Sequence, residues 1–351
     1  MKKSDFWKPF YSFWPKAIQP RHEGYSLLLA IPGDLPVFLK IAMEVCSSQN
    51  LQHCVELLVT PDQRSEAFRK VFESCRKSWQ GPPLRLTELN RFENWLTTRA
   101  KNPGTNHWLQ IIRGIGASRS RLALLHDADL FITDQQFLKK HYELCTNRQL
   151  VCLGVSPAWD GWFADQGYDY LTATWEMLVD VSWVRQWAPW VHRGQIRRFK
   201  GQDHLFDTLY WAECHTESQK IARHYGEHGF VHFNYVISTY RQFQKSVDSF
   251  EDSRFCLLLI RLLINAFDTS DWPYEIPTIP ALIAGIQDSA NRVTYMAPET
   301  TENYEIFRQK LEQLLNTFYI QPSTARQIRS DLLPFDHHFN FTQTPPVDCP
   351  L

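Results

Sequence analysis

The 351-residue chain lacks several features that would assign it to a class of protein at once. Its eight cysteines include no closely spaced pair, so the patterns typical of zinc clusters and redox motifs are missing. No window reaches the roughly 18 apolar residues that span a bilayer. Asp5, Lys8 and Pro9 interrupt the opening segment, which therefore lacks the apolar run of a signal peptide. We expect reduced thiols and a cytoplasmic protein.

Charge of one sign is also lacking. The 37 Lys and Arg residues are balanced by 38 Asp and Glu residues, for a net charge of −1. No overall field therefore attracts nucleic acid or an anionic bilayer, and we expect no nucleic-acid partner. Aromatic residues, in contrast, are abundant, with 13 Trp, 13 Tyr and 23 Phe. Aromatic rings fill cores but also stack on sugars and bases, so composition leaves both uses open.

Short apolar runs alternate with helical patterns over the first 150 residues. The apolar runs are Tyr25–Ile31, Val55–Val59, Leu84–Leu86 and Leu122–Leu125. This alternation predicts an α/β domain with a largely parallel sheet, whose ligands bind beyond the carboxyl ends of the strands. From about residue 250 the apolar spacing is helical. We expect an aromatic and basic arm over 1–22, an α/β domain over 23–248, and a helical region with an extended tail over 249–351.

The N-terminal arm has two interpretations. Six aromatic residues alternate with four lysines there: Phe6, Trp7, Phe10, Tyr11, Phe13 and Trp14 with Lys2, Lys3, Lys8 and Lys16. Such a mixture is typical of a peripheral contact with a membrane interface. The alternative is an arm that packs its aromatic rings onto the domain, and the two prolines in this segment disfavour a long amphipathic helix.

The sharpest motif is LALLHDADLF, residues 122–131. An apolar strand ends here in Asp127 and Asp129, which lie on the same side because strand residues alternate between faces. Two carboxylates in a crevice can hold Mg²⁺ or Mn²⁺, which then bridges the phosphates of a nucleotide. Asp-x-Asp is also common in turns after strands, so the bare pattern leaves both interpretations open.

The wider segment RGIGASRSRLALLHDAD, residues 113–129, resembles the nucleotide-sugar-dependent glycosyltransferases of GT-A fold, most closely the family 2 type. The resemblance covers residues 25–240 and implies a Rossmann-like, mostly parallel mixed sheet flanked by helices, here with a helical C-terminal extension. It implies transfer of a hexose from a nucleotide diphosphate sugar, with a UDP-sugar as the first expectation. It further implies Mn²⁺ or Mg²⁺ on Asp127 and Asp129, and donor contacts from Arg113 and Asp127.

The same resemblance assigns donor contacts near the first two strands. Family members have a Pro-containing loop over the nucleotide after the first strand, and LLLAIPGD places Pro32 and Asp34 there. Their second strand ends in an acidic residue that contacts the base, and LLVTPD brings Asp62 to that position. An ordinary turn or helix-capping aspartate explains Asp62 equally well.

A third element, FKGQDHLF over 199–206, resembles the Gly-Glu-Asp-like motif that opens a helix in family 2 enzymes. By this resemblance Asp203 is the general base that deprotonates the acceptor hydroxyl, and the reaction is inverting. The alternative is that Asp203 caps a helix over 204–213. Gln202 stands where Glu is usual, which keeps open a competing hypothesis of a non-catalytic GT-A-like module that binds a glycan or a partner.

Such domains often take a third metal ligand, commonly histidine, from their C-terminal side. GEHGFVHFNYVIS, residues 226–238, offers His228 and His232, and mixed carboxylate and imidazole ligation suits Mn²⁺. His232 is the better candidate because Val231 and Phe233 flank it. The chain has 13 histidines, and most histidines are surface groups or satisfied core groups, so that interpretation also stays open.

The loop SPAWDGWFADQGYDY, residues 156–170, lies between the metal motif and the proposed base. We expect Trp159 and Trp162 to stack on an acceptor sugar and Asp160 to accept hydrogen bonds from its hydroxyls. Core packing of one or both tryptophans is the alternative. The acceptor itself (a glycan, a lipid-linked sugar or a small molecule) and the oligomeric state stay open.

Overall fold

A computed structural model describes residues 7–16, 22–224, 229–245, 253–268, 270, 272–284 and 301–341. The chain divides into two compact units, Met1–His232 and Phe233–Leu351. This division does not test the domain boundaries expected after residues 22 and 248, which stay a prediction. Within the described ranges, every helix is too short or too polar to cross a bilayer.

A seven-stranded sheet forms the framework of the first unit. The described strands of this unit are β1 (His22–Ile31), β2 (Cys54–Pro61), β3 (Leu84–Leu86), β4 (Ser120–Asp127), β5 (Leu130–Ile132), β6 (Cys152–Gly154), β7 (Met177–Asp180), β8 (Gln195–Phe199), β9 (Gln202–Phe206), β10 (Ile221–Arg223) and β11 (Phe230–His232). The large sheet has the order β10-β6-β7-β4-β1-β2-β3, and β7 alone among these seven runs antiparallel. This arrangement confirms the predicted mixed, mostly parallel sheet.

Helices cover this sheet and build the second unit. Those of the first unit are α1 (Val37–Ser47), α2 (Glu66–Ser78), α3 (Arg91–Ala100), α4 (Pro103–Ala117), α5 (Phe137–Asn147), α6 (Gly161–Asp165), α7 (Val181–Val184) and α8 (Tyr210–Cys214). Those of the second unit are α9 (Val236–Phe243), α10 (Ser253–Phe267), α11 (Ile279–Ala284), α12 (Thr301–Leu315) and α13 (Pro322–His338). The predicted helical C-terminal region is therefore confirmed, while its predicted extended tail lies outside the described residues.

The parallel register brings the carboxyl ends of three strands to one edge. Ala30 of β1 is opposite Asp127 of β4, and Ile31 is opposite Pro61 of β2. Helix α4 packs tightly on β1, because a Cβ at Gly114 would lie 2.8 Å from a methyl of Leu28. This position allows the loops after β1, β2 and β4 to meet beside α4.

The helix expected over 204–213 is wrong. Residues 195–206 form a β-hairpin in which Arg198 is opposite Asp203, and the helix α8 begins only at Tyr210. Lys200 and Gly201 form the two-residue turn, with φ of 45° and 88°. A two-residue turn with positive φ at both positions matches the right-handed twist of the two strands. Gly is favoured in such turns because it adopts positive φ without steric cost.

Glu93 joins the N-terminal arm to helices α3 and α4. Its side chain is buried and accepts hydrogen bonds from the Tyr11 hydroxyl, from the backbone N of Asn90 at 2.8 Å, and from Nε and Nη2 of Arg113 at 3.1 and 2.5 Å. Trp108 of α4 packs edge-on against the Tyr11 ring at 4.9 Å. One carboxylate therefore caps the start of α3, binds Arg113 of α4 and holds the arm through Tyr11.

We expect Glu93→Gln to lower the free energy of unfolding by about 2 kcal/mol, because Arg113 loses its ionic partner where the carboxylate is buried. Glu88→Gln is the matched control, since Glu88 pairs with the half-exposed Arg69 and such surface pairs contribute about 1 kcal/mol or less. Urea denaturation measures both values. Equal losses in the two variants would contradict the role given to Glu93.

Candidate active site

Asp127, Asp129 and His232 form a cluster suited to a metal ion. Ligand atoms of the three side chains all lie within 4.8 Å of one another. The antiparallel pairing of β5 with β11 sets His232 opposite Leu130, and its Nε2 lies 3.5 Å from Oδ1 of Asp129. Two carboxylate oxygens and an imidazole nitrogen are a donor set that fits Mn²⁺ or Mg²⁺. The predicted ligands are therefore adjacent, and His228 lies outside the described residues.

His107 is a member of this site that the sequence did not indicate. It projects from α4, and its Nε2 lies 3.0 Å from Oδ1 of Asp127. Burial disfavours the imidazolium, but the charge and hydrogen bond of Asp127, with the charges of Asp207 and Asp129, together outweigh that effect and raise the pKa of His107. In return, although burial opposes ionisation, His107 lowers the pKa of Asp127. The pair keeps Asp127 ionised, as a metal ligand must be.

Trp175 and Glu176, just before strand β7, support the cluster. Glu176 has a left-handed backbone with φ of 50°, and its carboxylate lies 2.5 Å from Nδ1 of His126 in the core. The adjacent Trp175 ring packs 4.2 Å from the ring of His232. Because a non-glycine residue with positive φ persists only where its surroundings impose it, the buried Glu176–His126 pair fixes the chain that carries Trp175.

Asp207 is the second residue that the sequence did not indicate. It lies between β9 and α8, where Oδ2 accepts a hydrogen bond from Nε1 of Trp159 at 3.1 Å and Oδ1 accepts one from the backbone N of Thr208 at 2.7 Å. Burial raises the pKa of this carboxyl, and the charges of His107 and Asp127 also act on it. Asp207 is thus a half-buried carboxyl within electrostatic range of Asp127 in the metal cluster.

Asp203, the predicted general base, occupies a different environment. Its side chain is 66% exposed near the hairpin turn, and its carboxylate pairs with Arg198 at 3.6 Å. The hairpin conformation accounts for this, because alternate residues of β9 face opposite sides. The sequence motif that pointed to Asp203 therefore lies in a hairpin, and Asp203 is four residues before the half-buried carboxyl of Asp207.

The predicted acceptor residues meet the hairpin at His204. The Trp162 and His204 rings stack with centroids 3.8 Å apart, and Oδ2 of Asp160 lies 2.7 Å from Nε2 of His204. Asp160 also caps helix α6 through the backbone N of Trp162 at 2.9 Å. Trp162 is half-buried, whereas Trp159 is 53% exposed beside Asp207. An exposed indole held next to a half-buried carboxyl is available to stack on a ligand.

The predicted donor residues line the loops after β1 and β2. Pro32 is buried and Asp34 is half-buried. Asp62 is 2% exposed, and its oxygens accept hydrogen bonds from the backbone N of Gly33 at 2.9 Å and from Nδ2 of Asn106 at 3.0 Å. Asp62 thereby connects the first loop to α4. Arg113 pairs with Glu93 through two of its nitrogens, so its donor contact stays a prediction.

Comparisons with known proteins relate this fold to several solved structures. No protein-family profile matches the chain. No curated protein matches it in sequence. S. aureus TarS residues 1–349 are 10% identical, with 88% of this chain and 91% of that chain covered at a TM-score of 0.40. The TarS complex with UDP-GlcNAc is 11% identical, with 90% of this chain and 87% of that chain covered at a TM-score of 0.41.

Two further comparisons differ in how much of the other chain is covered. The chain spans 55% of a longer TarS structure at 10% identity and a TM-score of 0.39, with 88% of this chain covered. The galactosyltransferase LgtC, in complex with donor and acceptor sugar analogues, is 13% identical, with 48% of this chain and 62% of that chain covered at a TM-score of 0.35. Any function inferred for this chain depends on the residues of its own site.

Glu213, in the helix that follows Asp207, gives the molecule a testable pH dependence. Burial raises the pKa of its carboxyl to about 8, against 4.5 ordinarily, while the backbone N of Thr172 donates to Oε2 at 2.8 Å. The folded state thus keeps a proton that the unfolded chain releases. This contribution to stability is complete below pH 4.5 and is lost as the pH rises through about 8.

We expect Glu213→Gln to gain stability relative to the wild type between about pH 5 and about pH 8.5, by a few kcal/mol, because an amide has no proton to lose. Urea denaturation at the two pH values measures the difference. Glu217→Gln, at an exposed position on the next turn, is the control and should leave the pH dependence unchanged. A Glu213→Gln curve parallel to the wild type would show that this carboxyl ionises normally.

Proposed function

We propose that the protein is a metal-dependent glycosyltransferase. It moves a hexose from a nucleotide diphosphate sugar to an acceptor hydroxyl with inversion, and the donor that we propose is a UDP-sugar. The observation that carries this proposal is the cluster of Asp127, Asp129 and His232 at the carboxyl edge of the parallel sheet, with Asp207 nearby. The same edge presents Pro32, Asp34 and Asp62, which we assign to the donor nucleotide. The named ligands of two similar structures, UDP-GlcNAc for TarS and a donor sugar analogue for LgtC, are of this chemical class.

Asp127, Asp129 and His232 would hold Mn²⁺ or Mg²⁺, whose chemistry is to neutralise the charge that develops on the leaving diphosphate. His107 orients Asp127 and keeps it ionised through their 3.0 Å contact. Trp175 packs against the ring of His232 and limits its rotation. The chain therefore presents its three ligands in fixed orientations before a donor binds.

We propose Asp207 as the general base, in preference to Asp203. The base must take the proton from the acceptor hydroxyl as its oxygen bonds to the anomeric carbon and the bond to the diphosphate breaks. Burial raises the pKa of Asp207, which makes its carboxylate a better proton acceptor. Asp203 is 66% exposed and pairs with Arg198, so water and that cation surround its carboxylate.

Trp159, which donates a hydrogen bond to Asp207, provides the face on which an acceptor sugar would stack. Asp160 and Trp162 contact His204 and fix the edge of that surface. A glycan, lipid-linked or small-molecule acceptor fits this chemistry, and we place the reaction in the cytoplasm. The second candidate function is a non-catalytic glycan-binding module. Release of nucleoside diphosphate in the presence of acceptor separates a transferase from such a module.

Removing a ligand should weaken metal binding. We expect Asp129→Ala and His232→Ala each to weaken Mn²⁺ binding by about tenfold or more, because three ligands share the ion. Electron paramagnetic resonance of free Mn²⁺ measures this binding directly. His53→Ala is the matched control, since His53 contacts Glu143 away from the cluster. Unchanged affinity in Asp129→Ala would remove the metal assignment.

A pair of isosteric variants distinguishes the two candidate bases. We expect Asp207→Asn to lower turnover by about 10²–10⁴-fold, as the loss of a general base does, while UDP and Mn²⁺ binding persist. Asp203→Asn should keep turnover close to wild type. Initial rates of nucleoside diphosphate release, with calorimetric titration of UDP, measure both properties. The opposite pattern would restore Asp203 as the base.

A further inference from the structure

Part of the N-terminal arm faces the interior and part faces solvent. Trp7, Tyr11 and Trp14 face inward: Trp7 is 6% exposed and packs 5.2 Å from Trp108, and Nε1 of Trp14 donates to the carbonyl of Trp187 at 2.6 Å. Phe10 and Phe13 face outward. The arm therefore packs onto the domain along one side and leaves two phenylalanines on the other.

These phenylalanines extend an exposed surface on helix α3. Phe10 stacks on Phe92 with ring centroids 5.3 Å apart, and Phe92 stacks in turn on Trp95 at 6.3 Å. The exposed fractions are 55% for Phe10, 88% for Phe13, 38% for Phe92 and 52% for Trp95. We name these four residues the aromatic patch. Phe10, Phe92 and Trp95 form a continuous exposed row of stacked rings, Phe13 is exposed three residues after Phe10, and exposed apolar surface of this kind indicates an interaction surface.

The exposed charged residues of helix α3 beside the aromatic patch are basic. The guanidinium of Arg99 lies 5.7 Å from the Trp95 ring, and Arg91 is exposed beside Phe92 on the same helix. In the described part of the arm, residues 7–16, the charged residues are Lys8 and Lys16. The acidic residue of α3, Glu93, is buried against Tyr11 and Arg113. A chain with a net charge of −1 thus has a locally cationic aromatic surface.

We propose that the aromatic patch docks the protein on an anionic membrane surface. Aromatic rings insert at the level of the lipid headgroups, and adjacent arginines pair with anionic headgroups. Charge complementarity favours this occupant, since the exposed Arg91 and Arg99 beside the aromatic rings match an anionic interface. Glu93 and Trp108 hold the arm rigidly enough to present Phe10 and Phe13 without ordering the chain on contact.

Vesicle sedimentation with the full chain tests this surface. We expect binding to vesicles of phosphatidylglycerol and phosphatidylcholine in equal parts, and none to phosphatidylcholine alone. Phe13→Ser with Trp95→Ser should weaken binding about tenfold or more, since apolar contact is lost. Arg91→Gln with Arg99→Gln should weaken it by about 30-fold, because each arginine near the surface contributes about 1 kcal/mol.

A matched control is the double variant Ile196→Ser with Leu205→Ser. These hairpin residues are 68% and 46% exposed, so the variant removes comparable apolar surface elsewhere and should bind vesicles as the wild type does. Equal losses in the two serine variants, equal binding to both kinds of vesicle, or no binding at all would overturn the proposal. So would a wild-type dimer that Phe13→Ser with Trp95→Ser converts to a monomer. UDP and Mn²⁺ binding, measured on the same variants, tests the proposed function separately.

Discussion

The parallel register of β2, β1 and β4 is the constraint on which the site depends. In this register the three strands end side by side, with Ala30 opposite Asp127 and Ile31 opposite Pro61. Gln110 of α4 then donates to the carbonyls of Ile31 and Thr60, at 3.0 and 2.7 Å, and closes the strand ends. Since His107 lies one turn earlier on that helix, the residue that fixes the edge also places the imidazole beside Asp127.

The edge concentrates charge, and the structure partly compensates for it. Asp207 lies within electrostatic range of Asp127, which adjoins Asp129 in the metal cluster, and burial makes ionised carboxylates costly there. His107 and His232 offset part of this cost, and a divalent cation would offset the rest. The same repulsion, with burial, raises the pKa of Asp207. One arrangement of carboxylates therefore suits both cation binding and acceptance of a proton.

The sequence predicted elements well where a local pattern was sufficient and poorly where turns or prolines interrupted it. The apolar run that contains Leu27, Leu28 and Leu29 could only be a strand buried on both faces, and it is. The hairpin was missed because its Lys200–Gly201 turn lies within a segment that resembled a helix-opening motif. Helix α13 lies in the region predicted to be helical, but its bounds could not be predicted, since Pro334 in its interior is a residue that usually ends a helix.

What the sequence by itself determined is the alternation of strands and helices and the Asp-x-Asp motif, because both depend on neighbours along the chain. Only the tertiary structure decided the partners of that motif. His232 reaches Asp129 through the register of β5 with β11, and His107 reaches Asp127 through the packing of α4 on β1. Burial likewise distinguishes Asp207 from Asp203. Pairing register, packing and burial are long-range properties, which no local pattern records.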